Sequence, residues 1–290
     1  MDEEPEPLPH AAAPVPGLGP ILWQGDAADL PAPPTLTTTA AAYRRGSGEP
    51  DLPGILLLSP TDGDEWVEGS AVTIRWLSSG PIRKVRIYYS YERCKFAERS
   101  RGDVGVVLAD MVPDNNQFTW SKVPWLDTAS VRLRIAGYDA DGNRVAADEI
   151  GLGFRPRELV GLPDNCIAIV KRHQRLYYFR DGRVVRMHIV STAASGYWTP
   201  TMKPGSYDRR RGAMGQVFSK STCAWSRMYN CAMPYWMAIT SSGSHGIHAT
   251  SPPFYHRLGS PASHGCVRQH RTDAQILFGM VPVGTKVYVF

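Results

Sequence analysis

Three stretches of this chain switch between apolar and polar residues at almost every step. In AVTIRW, Val72, Ile74 and Trp76 are separated by Thr73 and Arg75; in KVRIYYS, Val85, Ile87 and Tyr89 by Arg86 and Tyr88; in SVRLRI, Val131, Leu133 and Ile135 by Arg132 and Arg134. A period of two sends alternate side chains to opposite faces, so each stretch reads as a half-buried strand rather than an amphipathic helix. Turn residues punctuate them at Asp62-Gly63, Asp114-Asn115-Asn116 and Asp141-Gly142, where small polar residues and glycine tolerate a tight reversal. Short strands at this spacing predict a β-sandwich over residues 54–156. The β signal continues beyond it. CIAIV and RLYYF lead through Asp181-Gly182, a hairpin turn, into VVRMHIV, and the chain closes on TKVYVF. One helix is expected near the end, where Thr272-Asp273-Ala274-Gln275 has capping-box spacing ahead of Ile276, Leu277 and Met280. The predicted fold class is mostly β, with one or two short helices.

Composition divides the chain further. Residues 1–50 hold ten of the 24 prolines, with runs such as AAAPVP and PAPP, and read as a disordered Pro/Ala/Thr-rich linker in which Trp23 alone offers a docking point. Residues 1–164 carry 16 Lys/Arg against 24 Asp/Glu, a balance of −8, whereas residues 165–290 carry 16 against three (Asp181, Asp208, Asp273), a balance of +13. A half this basic favours an anionic partner: nucleic acid, an anionic membrane or an anionic wall polymer. No zinc-finger, RNA-recognition or helix-turn-helix signature accompanies the charge, so nucleic acid is not expected. No run approaches roughly eighteen apolar residues, so no transmembrane segment is expected either. The opening MDEEPEPLPH lacks the basic and apolar regions of a signal peptide; an exported protein would have lost its signal from this chain. The layout of SPTDGDEWVEGSAVTIRW, FTWSKVP and a strand ending in Phe154 resembles bacterial immunoglobulin-like or fibronectin-like modules. That resemblance implies a spacer or carbohydrate-contacting role for 54–156 and no catalysis.

The chemistry-bearing residues lie in MPYWMAITSSGSHGIHATSPPFYHRLGSPASHGCVRQHR, with His245, His248, His256, His264, His270 and Cys266. A cysteine near histidines is a candidate nucleophile, because imidazole can take the thiol proton. The Gly-Cys pair could add two backbone N–H groups as an oxyanion hole. Zinc is the rival, since catalytic zinc sites mix His and Cys, but the usual two-ligand spacings are missing and no metal is expected. His173 and His188 are expected to face solvent or fill polar strand positions, and His256 and His270 to lie on a rim.

GIHAT, an 18-residue step from His248 to Cys266, and SPASHGCVR resemble the catalytic domain of the L,D-transpeptidases, the YkuD domain. The likeness runs across residues 163–290, including RLYYFRDGRVVRMHIVST and the Thr199-Pro200 to Gly205 segment. It implies a β-rich catalytic domain after the immunoglobulin-like one, with Cys266 as nucleophile and His248 as general base. Ala249 would orient the imidazole through its carbonyl, although the family often has Gly or Ser there. Gly265 and Cys266 would supply oxyanion N–H groups. Arg268 would shape the pocket or hold a substrate carboxylate. Ser263, His264, His245 and Tyr235 join it as substrate-binding residues, with His245 also the competing base, 21 residues from Cys266.

The resemblance implies a peptidoglycan reaction without cofactor. Cys266 attacks the carbonyl between the diamino residue and the terminal D-Ala of a tetrapeptide stem, D-Ala leaves, and a second stem's amine resolves the thioester into a 3→3 cross-link. Water as acceptor would make an L,D-carboxypeptidase; a wall-binding protein without turnover is the non-enzymatic alternative. A papain-like order is disfavoured, since His precedes Cys and no Gln or Asn partner is evident. Carbapenem β-lactams are implied inhibitors, and the cell wall or periplasm the implied location. The segment 206–232 departs from the family pattern and contains Cys223 and Cys231, whose disulfide would staple a loop by roughly 2–3 kcal/mol. The pairing of Cys94, Cys166, Cys223 and Cys231 stays open, but an even number beside Cys266 suits an oxidising compartment.

Overall fold

The computed structural model describes residues 54–92 and 103–290. The expected linker at 1–50, Trp23 and Cys94 lie outside the described residues. Residues 54–155 form eight strands: β1 (Gly54–Ser59), β2 (Glu65–Val67), β3 (Val72–Ser79), β4 (Lys84–Glu92), β5 (Asp103–Pro113), β6 (Gln117–Trp120), β7 (Ser130–Tyr138) and β8 (Arg144–Arg155). They build a three-stranded sheet ordered β1-β3-β6 and a five-stranded sheet ordered β2-β8-β7-β4-β5. The alternation decides which side chains meet between them. Ile74 and Trp76 from one sheet, and Val85, Ile87, Leu133 and Ile135 from the other, share a single buried core, while Arg75 and Arg132 stay in water. Trp66 and Tyr89 close that core edge to face, with ring centroids 5.6 Å apart.

The second half adds β9 (Cys166–Val170), β10 (Arg175–Arg180), β11 (Arg183–Ser191), β12 (Ser206–Asp208), β13 (Gly212–Ser226), β14 (Cys231–Thr240), β15 (Gly246–Ala249), β16 (Val267–Gln269), the helix α1 (Arg271–Met280) and β17 (Lys286–Val289). Nine strands run in the order β12-β13-β14-β15-β16-β11-β10-β9-β17, and β13 also meets β17 at Gln216 and Lys286. The expected hairpin joins β10 to β11, with Asp181 and Gly182 at φ 50° and 73°, the left-handed pair a two-residue hairpin turn requires. The closing strand β17 lies parallel to β9. Ile167, Ile169, Leu176, Val190, Val217, Ile247, Val267, Leu277 and Val287 fill the interior. Among the described residues no helix is long and apolar enough to cross a membrane.

The helix starts earlier than the capping-box spacing predicts. Its N-cap is His270, whose Nδ1 accepts from the Thr272 N–H at 3.3 Å. His270 is buried against Tyr255, ring centroids 4.1 Å apart, so it is not a rim residue. A ring nitrogen does here what a Thr hydroxyl was expected to do, satisfying an orphan N–H of the first turn. Leu277 reaches the core, whereas Ile276 is exposed. His188 is buried too, with Nδ1 2.7 Å from Gln269 Oε1.

The described residues form one compact unit, and side chains from both sheet systems join them. Arg175 makes two bonds to Asp127, Nε to Oδ1 at 2.7 Å and Nη2 to Oδ2 at 2.8 Å. Arg172 bonds Glu68 and Glu158, and His173 stacks on Trp125 at 4.4 Å. The Arg175 side chain is only 9% exposed, so its guanidinium depends on that carboxylate. Asp127→Ala is expected to lower stability by about 1–3 kcal/mol, read from a thermal or urea unfolding midpoint, with Asp127→Glu less harmful.

Candidate active site

Two short parallel strands create the site. In β15 and β16 the register is Ile247 to Val267, His248 to Arg268 and Ala249 to Gln269. Alternation turns Ile247 and Val267 into the core, where both are fully buried. His248, Cys266 and Arg268 therefore share the other face, and all three line one cavity of about 510 Å³. The 18-residue step in sequence thus becomes adjacency across a single ladder.

The imidazole of His248 is held in one tautomer. Its Nδ1 lies 2.8 Å from the Ala249 carbonyl oxygen. A carbonyl can only accept, so Nδ1 carries the hydrogen and Nε2 keeps its lone pair. Burial pushes the ring's pKa down to about 4, outweighing the Ala249 bond, and the Arg268 charge adds to the depression. Burial also raises the Cys266 thiol, against the opposing pull of the Gly246 N–H and of Arg268. The resting pair at neutral pH is thiol and neutral imidazole rather than thiolate and imidazolium.

His245 is a different histidine. Its Nε2 donates to the Trp198 carbonyl at 3.2 Å, which leaves Nδ1 to accept from the Ser244 hydroxyl at 3.0 Å. Both nitrogens are occupied, so it lines the cavity without a free lone pair. It also packs under the turn that carries Gly265 and Cys266. Gly265 sits at φ 135°, and a Cβ there would stand 3.0 Å from His245 Nε2 and 3.1 Å from the Trp198 oxygen, so only glycine fits.

The backbone of that turn departs from expectation. The Gly265 N–H donates to Ser263 Oγ at 3.1 Å, and the same Oγ donates to the Cys266 carbonyl at 2.6 Å. The Gly265 N–H is therefore spent inside the protein and is not the oxyanion donor predicted for it. Among the described residues no acceptor takes the Cys266 N–H. Ser263 is fully buried and clamps the turn rather than facing substrate. His264 is exposed, its ring 4.5 Å from Tyr197 and 4.3 Å from Tyr229. Arg268 donates Nη1 to the Ala262 carbonyl at 3.3 Å and lines the cavity.

Tyr235 is not in the site. Its ring meets Phe278 of α1 at 5.8 Å, and Arg271 lies over it at the same distance. One step along β14 the strand face inverts, and Trp236 is the aromatic that reaches the cavity, 5.8 Å from the His248 ring. Trp236 in turn explains Gly246, where a Cβ would lie 2.5 Å from the indole. Trp198 and Arg211 also line the cavity, stacked on each other at 4.4 Å, with Arg211 paired to Asp208 at 3.0 Å. Sequence spacing did not single out Trp236, Gly246, Trp198 or Arg211.

The segment 206–232 forms β12, β13 and the turn into β14, and the tip of that hairpin borders the cavity with Trp225, Arg227, Met228, Tyr229 and Cys231. Cys223 and Cys231 are both free and exposed. Cys223 faces Pro234 in the hairpin while Cys231 faces Ser226. Three residues of strand rise put the two about 10 Å apart, beyond the span of roughly 7 Å that a disulfide bridges. The expected staple is absent. Cys166 is free and buried, its thiol pushed up to about 11 by burial.

Residues 164–289 match the family model of the YkuD L,D-transpeptidase catalytic domain. YqjB of Bacillus subtilis, provisionally named an L,D-transpeptidase, is 25% identical over 130 residues, 43% of this chain and 71% of that protein. The similarly named YkuD of Bacillus licheniformis is 38% identical over 55 residues, 19% of this chain and 32% of that one. A crystal structure of an L,D-transpeptidase from Mycobacterium tuberculosis overlays with a TM-score of 0.37 at 18% identity, covering 81% of this chain and 98% of that one. Residues 164–289 of this chain are a YkuD-type L,D-transpeptidase catalytic domain.

Proposed function

We propose that the enzyme cross-links peptidoglycan, joining two stem peptides 3→3 through a thioester on Cys266. The observation that carries this reading is the pairing of β15 with β16, which sets the His248 ring, its Nε2 unbonded, on the face that holds the Cys266 thiol. As the sulfur attacks the carbonyl carbon of the donor stem, the thiol proton passes to Nε2. The Cys266 N–H stabilises the developing oxyanion. Collapse breaks the peptide bond, and His248 returns its proton to the departing D-Ala amine. The acceptor amine then attacks the thioester carbon, loses a proton to His248 and expels the thiolate, which takes that proton back. General-base help at the moment of attack fits a buried pair in which both partners rest neutral.

Charge supports an anionic peptide substrate. Arg211, Arg227 and Arg268 line the cavity, and among the described residues no carboxylate does, so carboxylates of the stem meet guanidinium groups that can bind them bidentately. A carbapenem offers a carboxylate and a strained amide to the same groups, and acylation of Cys266 by that class belongs to the proposal. Residues 54–156 act as a spacer that carries the catalytic domain (163–290) in the exported protein, at the wall or in the periplasm.

Intact-mass analysis with a disaccharide tetrapeptide tests the reading. A transient acyl-enzyme followed by cross-linked dimer is expected. Tripeptide without dimer identifies water as the acceptor instead. Tight binding with no covalent species on Cys266 overturns the transpeptidase assignment in favour of a wall-binding role.

A further inference from the structure

We infer that Thr199, remote from the cavity lining, is a positioning residue that aims the oxyanion-stabilising N–H of Cys266. The inference rests on the acyl-transfer reading above. Thr199 is 2% exposed and does not border the cavity. Its Oγ1 donates to the Gly265 carbonyl at 2.8 Å and accepts from the Ala193 N–H at 2.9 Å. The hydroxyl is therefore fixed from both sides, with its one hydrogen committed to Gly265.

The Gly265 carbonyl and the Cys266 N–H belong to one peptide unit. That unit is planar and trans, so the N–H points opposite to the C=O. Holding the oxygen on Thr199, in the interior, directs the hydrogen away from the interior. The units on either side are already taken, because Ser263 Oγ receives the Gly265 N–H and donates to the Cys266 oxygen. Two hydroxyls thus hold three successive peptide groups, and the middle one, steered by Thr199, is the one whose N–H has no acceptor among the described residues. The platform beneath is rigid: Ala193 bridges Ser263, and the Ala194 N–H donates to the Ser263 carbonyl at 2.9 Å. With φ of 135°, Gly265 has no side chain to hold the unit in place, so the Thr199 bond is what sets the tilt of its plane between the two clamped neighbours.

The two reagents that separate this role from simple scaffolding are an activated ester and an alkylating agent. Acetyl transfer from p-nitrophenyl acetate forms an S–C bond and an oxyanion before p-nitrophenolate leaves. Iodoacetamide reacts with the same sulfur by displacement of iodide, and no oxyanion develops. Both are followed at the Cys266 peptide by mass. Thr199→Val is expected to slow acetylation about 10–100-fold, somewhat less than outright loss of an oxyanion donor, and to change alkylation less than about threefold. Thr199→Ser keeps the hydroxyl and is expected to restore acetylation to near the unaltered rate. Thr199→Ala carries the valine expectation with less bulk, if valine does not fold. Equal acetylation in the unaltered protein and the hydroxyl-free variant overturns the inference, as do equal losses with both reagents. Unaltered protein that alkylates at Cys266 but never acetylates overturns the acyl-transfer reading itself, and this assignment falls with it.

Discussion

Cys266→Ala is expected to abolish every covalent product of stem peptide and of carbapenem on the enzyme while leaving the fold intact. Removing the nucleophile of a coupled catalytic unit costs on the order of 10⁴–10⁶ in rate. The 290-residue chain keeps its secondary structure because Cys266 belongs to no buried core cluster. Intact mass shows the missing adduct, and circular dichroism the retained strands. Alkylation must be read peptide by peptide. Cys223 and Cys231 are exposed and unpaired, so iodoacetamide labels them in both proteins, whereas Cys166 stays unlabelled because it is buried with its thiol pushed up to about 11. Turnover that persists in Cys266→Ala ends the proposed mechanism.

His248→Ala is expected to slow acylation by about 10²–10⁴, the usual contribution of a positioned general base. The pH profile distinguishes this from general damage. The depressed pKa of His248, about 4, keeps the base neutral down to that pH, so the acidic limb of the unaltered enzyme falls through about 4 and not through the ordinary imidazole value. The Cys266 thiol is shifted the other way, upward. A variant without the base must wait for spontaneous thiolate, so its residual rate climbs steadily toward alkaline pH. His245→Ala costs less, because neither of its nitrogens is available to the thiol, and Ala249→Ser is nearly silent because only the Ala249 carbonyl is used. An acidic limb that disappears in His245→Ala and survives in His248→Ala reverses the assignment of the base.

How much of this was legible beforehand depends on the range over which the information is written. Strands at Val72, Val85 and Val131 could be read because alternation is local and burial simply follows it. Cys266 and His248 could be read because their neighbours, Ser-His-Gly-Cys-Val-Arg and Gly-Ile-His-Ala, form a recognisable pattern. Tyr235 was misplaced by one residue. Aromatic character was visible in Tyr-Trp, but which ring faces the cavity depends on the register of β14 with β13 and β15, and a one-residue step inverts the face. The pairing of Cys223 and Cys231 stayed open for the same reason, because eight residues apart in sequence says nothing about which hairpin rung each occupies. Thr199 and Gly246 act through backbone groups of distant residues, brought together only when β15 lies beside β16. Gly265 precedes Cys266 as an oxyanion donor would, but a sequence cannot show that Ser263 has already claimed its N–H.

Three of the eight tryptophans, Trp198, Trp225 and Trp236, border the one cavity that holds Cys266. Indole emission responds to the polarity and hydrogen bonding around the ring, so this enclosure contains its own optical probe. Under the proposed function, a stem peptide or β-lactam entering the cavity is expected to displace water from these rings and bring a carbonyl within reach of quenching them. Occupancy and turnover can then be followed in unlabelled protein, with the signal surviving in Cys266→Ala, where binding persists but chemistry does not. Of the other five, Trp66, Trp76, Trp120 and Trp125 pack in or against the sandwich core and are expected to supply a steady background, while Trp23 lies outside the described residues.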